Sequence, residues 1–306
     1  VQKRTKDLMR ELKLPMEPMA DNLPGTDLIH IDLPRESRQF ARLSSVLHHY
    51  GSPELGLYSV PAGVTPAGEI EWLSLPELPH MLVAGSTGSG KSMFLYSLIA
   101  SLAHYHGADD LEMVLVDPKR TDFILFSKLP HLRDGEIIVD GEEAVVKLTS
   151  LIKSEAQRRT DKLRENLHKD IYSYNENNPE DKIPPIFVVI DEFAELSNVL
   201  KGGEREEEFH DALQRLAQRA RNVGIHLIVA TQRPTADVIG GNIKANLPCR
   251  VSFQLGSGTD SRTVLDTAGA ENLLGNGDML LRRKGNEMKR LQGLYLPEEE
   301  IRNRFT

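Results

Sequence analysis

Residues 85–92, GSTGSGKS, constrain what this chain can become more than any other feature. They spell G-x-x-x-x-G-K-S, directly after the apolar run Met81–Ala84 and directly before the helix-patterned stretch Ser92–His104. A strand, a glycine-rich loop and a helix in that order make the spacing a phosphate-binding loop rather than a chance turn. Gly88 and Gly90 let backbone N–H groups curl around phosphate oxygens, and the helix N-terminus adds the positive end of its dipole. Gly85, Ser86, Thr87, Gly88, Ser89, Gly90, Lys91 and Ser92 are therefore the expected cradle for a nucleoside triphosphate. Lys91 reaches for the β- and γ-phosphates and Ser92 for the Mg2+ that accompanies them.

From Pro79 onward strands and helices alternate. Met113–Asp117 (MVLVD) reads as a strand, Glu142–Leu167 as one long helix, and Ile186–Asp191 (IFVVID) as a strand apolar on both faces. Glu206–Asn222 reads as a helix, and His226–Thr231 and Arg250–Leu255 as further strands. This order implies a parallel sheet with helices on both sides, an α/β architecture. Upstream, residues 2–14 pattern as a short amphipathic helix stopped by Pro15, Leu28–Leu33 as a strand and residues 36–49 as a second short helix. Tyr58–Val60 and Ile70–Trp72 flank a Gly/Pro-rich turn and predict a hairpin.

Asp191 closes an apolar strand, which puts its carboxylate at the C-terminal edge of the sheet, where open parallel sheets bind ligands. It is the natural second partner for Mg2+, and Glu192, next in the chain, is placed to polarise an attacking water. Two acids opening a helix as cap and first-turn residues are the ordinary alternative. The adjacent acidic pair favours hydrolysis over phosphoryl transfer to an acceptor. Gln232, at the end of the strand in VATQRP, is placed to sense the γ-phosphate, or else caps that strand.

Composition sets outer bounds. The chain has 306 residues, enough for one large α/β domain with a small appendage. Its net charge of -8 argues against a broad basic nucleic-acid surface but leaves room for a narrow basic pore. Cys249 is alone, so no internal disulfide forms; it reads as core filler in a reducing, cytoplasmic setting. No apolar run approaches the roughly 20 residues of a membrane helix. A first residue of Val1 reads as an excised piece, with any membrane contact made through regions not in this chain. The ten histidines lack ligand spacing, so no protein-held metal is expected beyond Mg2+ with nucleotide.

These residues, with VLVDPKR, VVIDEFAEL, LAQRARNVGIHLIVATQRP, IKANLPCRVSF, DSRTVLD and GAENLLGNGDML in this order, resemble the FtsK/SpoIIIE DNA translocases over about residues 28–281. The resemblance implies a RecA-like P-loop ATPase motor over residues 35–306, with residues 1–34 as the tail of a small N-terminal α-domain. It further implies Mg2+ and ATP bound between neighbouring subunits of a hexameric ring around double-stranded DNA. Lys91, Asp191, Glu192 and Gln232 would then be joined by Arg221, reaching the neighbour's γ-phosphate, with Arg219 as the alternative. Arg233 and Lys244 match residues that touch the DNA backbone. Where the family has a lysine just before the DSR motif, this chain has Gly258, which leaves Arg262 as the cation for that second contact across the interface. Lys119, in DPKR, touches nucleotide or neighbour, or merely shapes a turn. Arg158, Arg159, Lys162 and Arg164 read as a solvated face of the long helix. The same core also serves polypeptide-export motors of the type VII secretion sort, and nucleotide-dependent assembly or defence subunits that move nothing.

Overall fold

The computed structural model describes residues 4–14, 18–22, 29–33, 39–50, 58–201, 204–239, 244–283 and 288–305. They fall into two compact units, residues 1–40 and residues 41–306. In the first unit, helix α1 (Thr5–Glu11) is shorter than the expected 2–14, and β1 (Met19–Asn22) pairs antiparallel with β2 (Ile29–Asp32). Pro15, the expected stop for α1, lies outside the described residues.

The second unit is built on a nine-stranded sheet. Its strands are β3 (Ser59–Val64), β4 (Ile70–Ser74), β5 (His80–Ala84), β6 (Glu112–Val116), β7 (Ile186–Ile190), β8 (Ile225–Thr231), β9 (Cys249–Phe253), β10 (Asp278–Arg282) and β11 (Met288–Gly293). The spatial order is β4-β3-β11-β10-β9-β5-β8-β7-β6. The strands from β9 through β5, β8 and β7 to β6 run parallel. The remaining pairings, which extend the sheet past β9, are antiparallel. The expected α/β fold is present, with a hairpin (β3–β4) where one was read.

Strand alternation divides the apolar side chains between two cores. Met81, Val83, Phe187 and Val189 face helix α3 (Lys91–Tyr105), whose Phe94, Leu95, Leu98, Ile99 and Leu102 cover them. Leu82, Ala84, Ile186, Val188 and Ile190 face the other way. That second layer holds α4 (Gly141–Ser150), α5 (Ala156–Glu165), α7 (Phe193–Leu200) and α8 (Glu204–Val223). Each fully buried Leu, Val or Phe contributes about 1.5–3 kcal/mol, so a strand apolar on both faces is anchored twice over. The outer edge at β6 is closed by a passing loop. Met113 N donates to His131 O (2.7 Å), and Ile138 N donates to Leu115 O (2.9 Å). Cys249 is buried in β9, and burial pushes its thiol up to about 12, as suits core filler.

Other readings are corrected. The long helix expected over Glu142–Leu167 is interrupted by one π-helical stretch, Leu151–Glu155, between α4 and α5. An extra residue in a helical turn rotates everything downstream to a new face. Arg159 is consequently not solvated: it is 1% exposed. Its guanidinium donates to Val223 O (2.9 Å), Pro184 O (2.9 Å) and Glu155 Oε1 (2.8 Å). Arg158 and Arg164 do remain on the surface. Of the helix read over 36–49, α2 spans Leu43–His49, and residues 36–38 lie outside the described residues. Helix α6 (Ile171–Asn177) packs Tyr174 into a small satellite core, and the Tyr172 hydroxyl meets His226 Nε2 at 2.7 Å.

Candidate nucleotide site

Register places the site. β8 lies between β5, which leads into the glycine-rich loop, and β7, which leads into the acidic pair. Ala84 pairs with Thr231, Ile190 with Val229, and Val116 with Ile190. Asp117, Asp191, Glu192, Thr231 and Gln232 therefore leave the sheet along one edge, beside the loop.

The loop itself requires its glycines. Gly88 has φ +75° and faces open space, with nothing within 4 Å of where a Cβ would lie. Gly90 has φ +114°, and a Cβ there would sit 2.6 Å from Gly277 N. Backbone bonds seat the loop from three sides: Gly85 N donates to Thr231 O (3.2 Å), Ser86 N to Gln254 O (2.9 Å), and Gly277 N to Ser89 O (2.8 Å). The N–H groups of Thr87, Gly88 and Gly90 have no partner among the described residues. With the first turn of α3 behind them, they form an anion-binding concavity.

Lys91 is buried and its Nζ hydrogen-bonds both the Asp191 carbonyl oxygen (3.0 Å) and Asp191 Oδ1. Asp191 is 0% exposed, and its second oxygen, Oδ2, has no partner. Burial pushes the Asp191 carboxyl up to about 6, against the pull of Lys91. Ser89 Oγ and Asp117 Oδ1 are likewise buried without partners, while Asp117 Oδ2 accepts from Asp122 N and Phe123 N. Buried polar atoms are nearly always satisfied in folded proteins. Orphans gathered around a phosphate-type loop fit a polyphosphate with a hard divalent cation, for which carboxylate and hydroxyl oxygens are the right donors. Ser92, half-buried at the head of α3, supplies such a hydroxyl.

Glu192 stands at the N-terminal boundary of α7, yet its side chain does not cap that helix. It turns instead toward β8. Oε1 accepts from Thr231 Oγ1 (2.6 Å), the Gln232 N–H lies 3.2 Å from both oxygens, and Oε2 pairs with Lys119 Nζ at 2.9 Å. Gln232 Oε1 in turn accepts from Thr87 Oγ1 at 3.1 Å, joining the strand end to the loop. Lys91, Asp191, Glu192, Gln232 and residues 85–92 are thus brought together as the spacing required. Thr231, Gln254 and Gly277 also build the site; Thr231, just before Gln232 at a strand end, and Gly277, within GAENLLGNGDML, carried a signal in sequence, and Gln254 carried none. Lys119 is not merely a turn residue, since it ion-pairs with Glu192.

The remaining expected residues lie elsewhere. Arg233 is exposed beyond Gln232. Lys244 Nζ pairs with Asp266 Oδ1 (2.5 Å) and donates to the Arg262 carbonyl (3.3 Å). Asp266, at the end of helix α9 (Gly258–Leu265), also receives Arg250 and Arg282. Partial burial pushes its carboxyl up, but the hydrogen bonds from Lys244, Arg250 and Arg282 outweigh this and hold it well below the usual range. Arg262 is exposed, donates to Gly258 O (3.3 Å), and its Nη1 lies 3.7 Å from where a side chain at Gly258 would begin. Arg221 and Arg219 fall on α8, and their side chains lie outside the described residues. No helix among the described residues is long and apolar enough to cross a membrane, and none of their His, Cys, Asp and Glu side chains form a metal-holding group of three.

A β-strand, a glycine-rich loop closed on Lys91, and an acid pair two strands away define a P-loop ATPase domain. The FtsK/SpoIIIE family model matches residues 54–236, well over half of the chain, and the chain belongs to that family. A DNA translocase FtsK of Helicobacter pylori is 40% identical over 92% of this chain and 32% of its own length. One from Caldanaerobacter subterraneus is 38% identical over 97% of this chain and 41% of its own. The chain thus spans about a third to two fifths of the length of such curated relatives. Among solved structures, the cytoplasmic domain of the Thermomonospora curvata type VII secretion ATPase EccC matches with TM-score 0.75 and 26% identity. That match covers 87% of this chain and 34% of EccC. The pCW3 conjugation coupling protein TcpA, solved with ATPγS, shares the fold with TM-score 0.76 at 24% identity, over 98% of this chain and 82% of TcpA.

Proposed function

We propose that this chain is the ATP-hydrolysing motor core of a double-stranded-DNA translocase, working as a hexameric ring with Mg2+–ATP between subunits. The observation that carries the reading is the convergence of Lys91, Asp191, Glu192 and Gln232 on one loop in a chain up to 40% identical to DNA translocases. Lys91 and the loop N–H groups neutralise phosphate charge. Ser92 and Asp191 are the residues that would hold Mg2+, which supplies Lewis-acid polarisation of the phosphoryl oxygens when bound. Glu192 orients and deprotonates the attacking water. Gln232, bonded to Thr87 on the loop, reports the presence of a γ-phosphate to the strand end that continues into Arg233. Arg221, or Arg219, reaches the neighbour's nucleotide, and Arg262 stands where the second cross-interface contact would form. Arg233 and Lys244 contact DNA phosphates, Lys244 exchanging Asp266 for a phosphate oxygen. Residues 1–34 belong to the small N-terminal domain and residues 35–306 form the motor, acting in the cytoplasm.

The test is ATP turnover with and without long linear duplex DNA at rising salt. Stimulation that weakens with salt is expected, because phosphate contacts release counterions. Turnover indifferent to DNA would instead favour polypeptide cargo, the reading that the similarity to EccC supports.

A further inference from the structure

The Glu192 carboxylate is the group assigned to water activation, and every direction from which it accepts is in use. A carboxylate offers about four acceptor positions. In this structure Thr231 Oγ1 and the Gln232 N–H occupy Oε1, while the same N–H and the Lys119 ammonium occupy Oε2. The side chain is 2% exposed, so solvent does not reach it from another side. A general base needs a lone pair facing the proton that it takes. One of these partners must therefore leave before Glu192 works.

Only one partner is free to do so. Thr231 is fully buried and pairs with Ala84 in the centre of the sheet, and the Gln232 N–H is main chain just beyond it. The Thr231 hydroxyl is also held from its other side, since it accepts from Arg233 N (3.1 Å), and the Gln232 N–H is fixed by the main chain. Lys119 differs on each count. Its side chain is 33% exposed, it has a four-carbon flexible stem, and it rides on the turn after β6, closed by Arg120 N donating to Asp117 O (3.0 Å). Partial burial works against its charge, but the hydrogen bond and charge of Glu192 outweigh that and raise the ammonium pKa.

We propose that Lys119 is a releasable clamp on Glu192: a positioning residue that withholds the base and so sets the resting rate of hydrolysis. The inference rests on the reading of Glu192 as the water-activating residue. Release of the ammonium frees Oε2 without disturbing the sheet. Reclosure silences the base again.

The experiment has two arms. In the first, Lys119→Met, Glu192→Gln and the double variant are unfolded thermally without nucleotide. Lys119→Met leaves a buried carboxylate without its cation and lowers Tm, whereas in the Glu192→Gln background the same change has little effect. The expected coupling between the two positions is about 2–4 °C in a domain of this size. In the second, ATP turnover is measured without DNA. Lys119→Met raises kcat on the order of fivefold, the effect of losing one partly exposed ion pair. KM is unchanged, the DNA stimulation ratio shrinks by the same factor, and Lys119→Arg, which keeps the charge, restores the slow rate. Absence of coupling in the first arm shows that the pair does not form and overturns the proposal. Coupling with an unchanged or reduced kcat makes the pair a brace and overturns it too. Lys119→Gln serves in both arms should Met impair folding. A wild-type chain that does not hydrolyse ATP at all refutes the parent reading, which is a different result from either of these.

Discussion

Replacing Arg159 by Met is expected to cost this domain about 3–5 kcal/mol, the penalty for stripping one member from a buried charge network. The magnitude follows from what the guanidinium holds. It satisfies the carbonyls of Val223 and Pro184 at 2.9 Å each, lies 3.5 Å from that of Gly224, and pairs with Glu155 at 2.8 Å. Methionine fills the volume of the stem but supplies no donor. At least two buried carbonyls are then left unsatisfied at about 1–3 kcal/mol each. Glu155 keeps Arg158 as a partner, which holds the loss toward the lower half of that range. In a domain of this size the change lowers Tm by about 6–20 °C. Arg158→Met is the control. Arg158 shares the same carboxylate, but its side chain is 60% exposed, and its loss costs under about 1 kcal/mol. Thermal unfolding followed by circular dichroism decides the matter. If the two variants unfold within about 2 °C of each other, the buried network does not do what its geometry says.

Three further outcomes follow from the site and its surroundings. Glu192→Gln should bind ATP with near-normal affinity and hydrolyse it at least about 100-fold more slowly in single-turnover assays, as loss of a general base requires. Gly90→Ala forces a side chain into φ +114° and within 2.6 Å of Gly277 N, so nucleotide binding measured by calorimetry should be lost while far-UV dichroism is retained. Hydrogen bonds from Arg158, with burial opposing and Arg159 adding to the pull, hold the Glu155 carboxyl down to about 2 from its usual 4.5. The stability that this confers is complete above about pH 4.5 and is lost as pH falls toward 2; Glu155→Gln should flatten that acid limb of Tm against pH.

The parallel half of the sheet was legible because each strand is a short apolar run ending in a chemical motif, and period and motif agree. Residues 85–92, Asp191, Glu192 and Gln232 could be placed from spacing alone, since parallel strands present their C-terminal ends along one edge. The antiparallel half was largely hidden. β11, MKRLQG, alternates charge with partial burial, and its neighbour β3 lies more than 200 residues earlier in the chain, beyond any local pattern. Arg159 was misplaced for a different reason. A periodicity of 3.6 assigns faces only while the helix stays regular, and the π turn at Leu151–Glu155 resets the count. Lys119 was visible as a charged turn residue, but its partner is 73 positions away.

The contact between Ser89 and Gly277 bears on how this protein can be recombined with its relatives. The segment that matches the family model ends at residue 236, and it holds the phosphate loop, the acid pair and Gln232. Two of the three backbone supports of the loop come from Gln254 and Gly277, downstream of that boundary, and Gly277 is itself backed by Gly293 at the end of β11 (2.7 Å). A chimaera that grafts only residues 54–236 would import the reactive groups onto a foreign foundation. Exchange of catalytic properties between members of the family therefore has to carry the strands after β9 along with it, as a single inherited block.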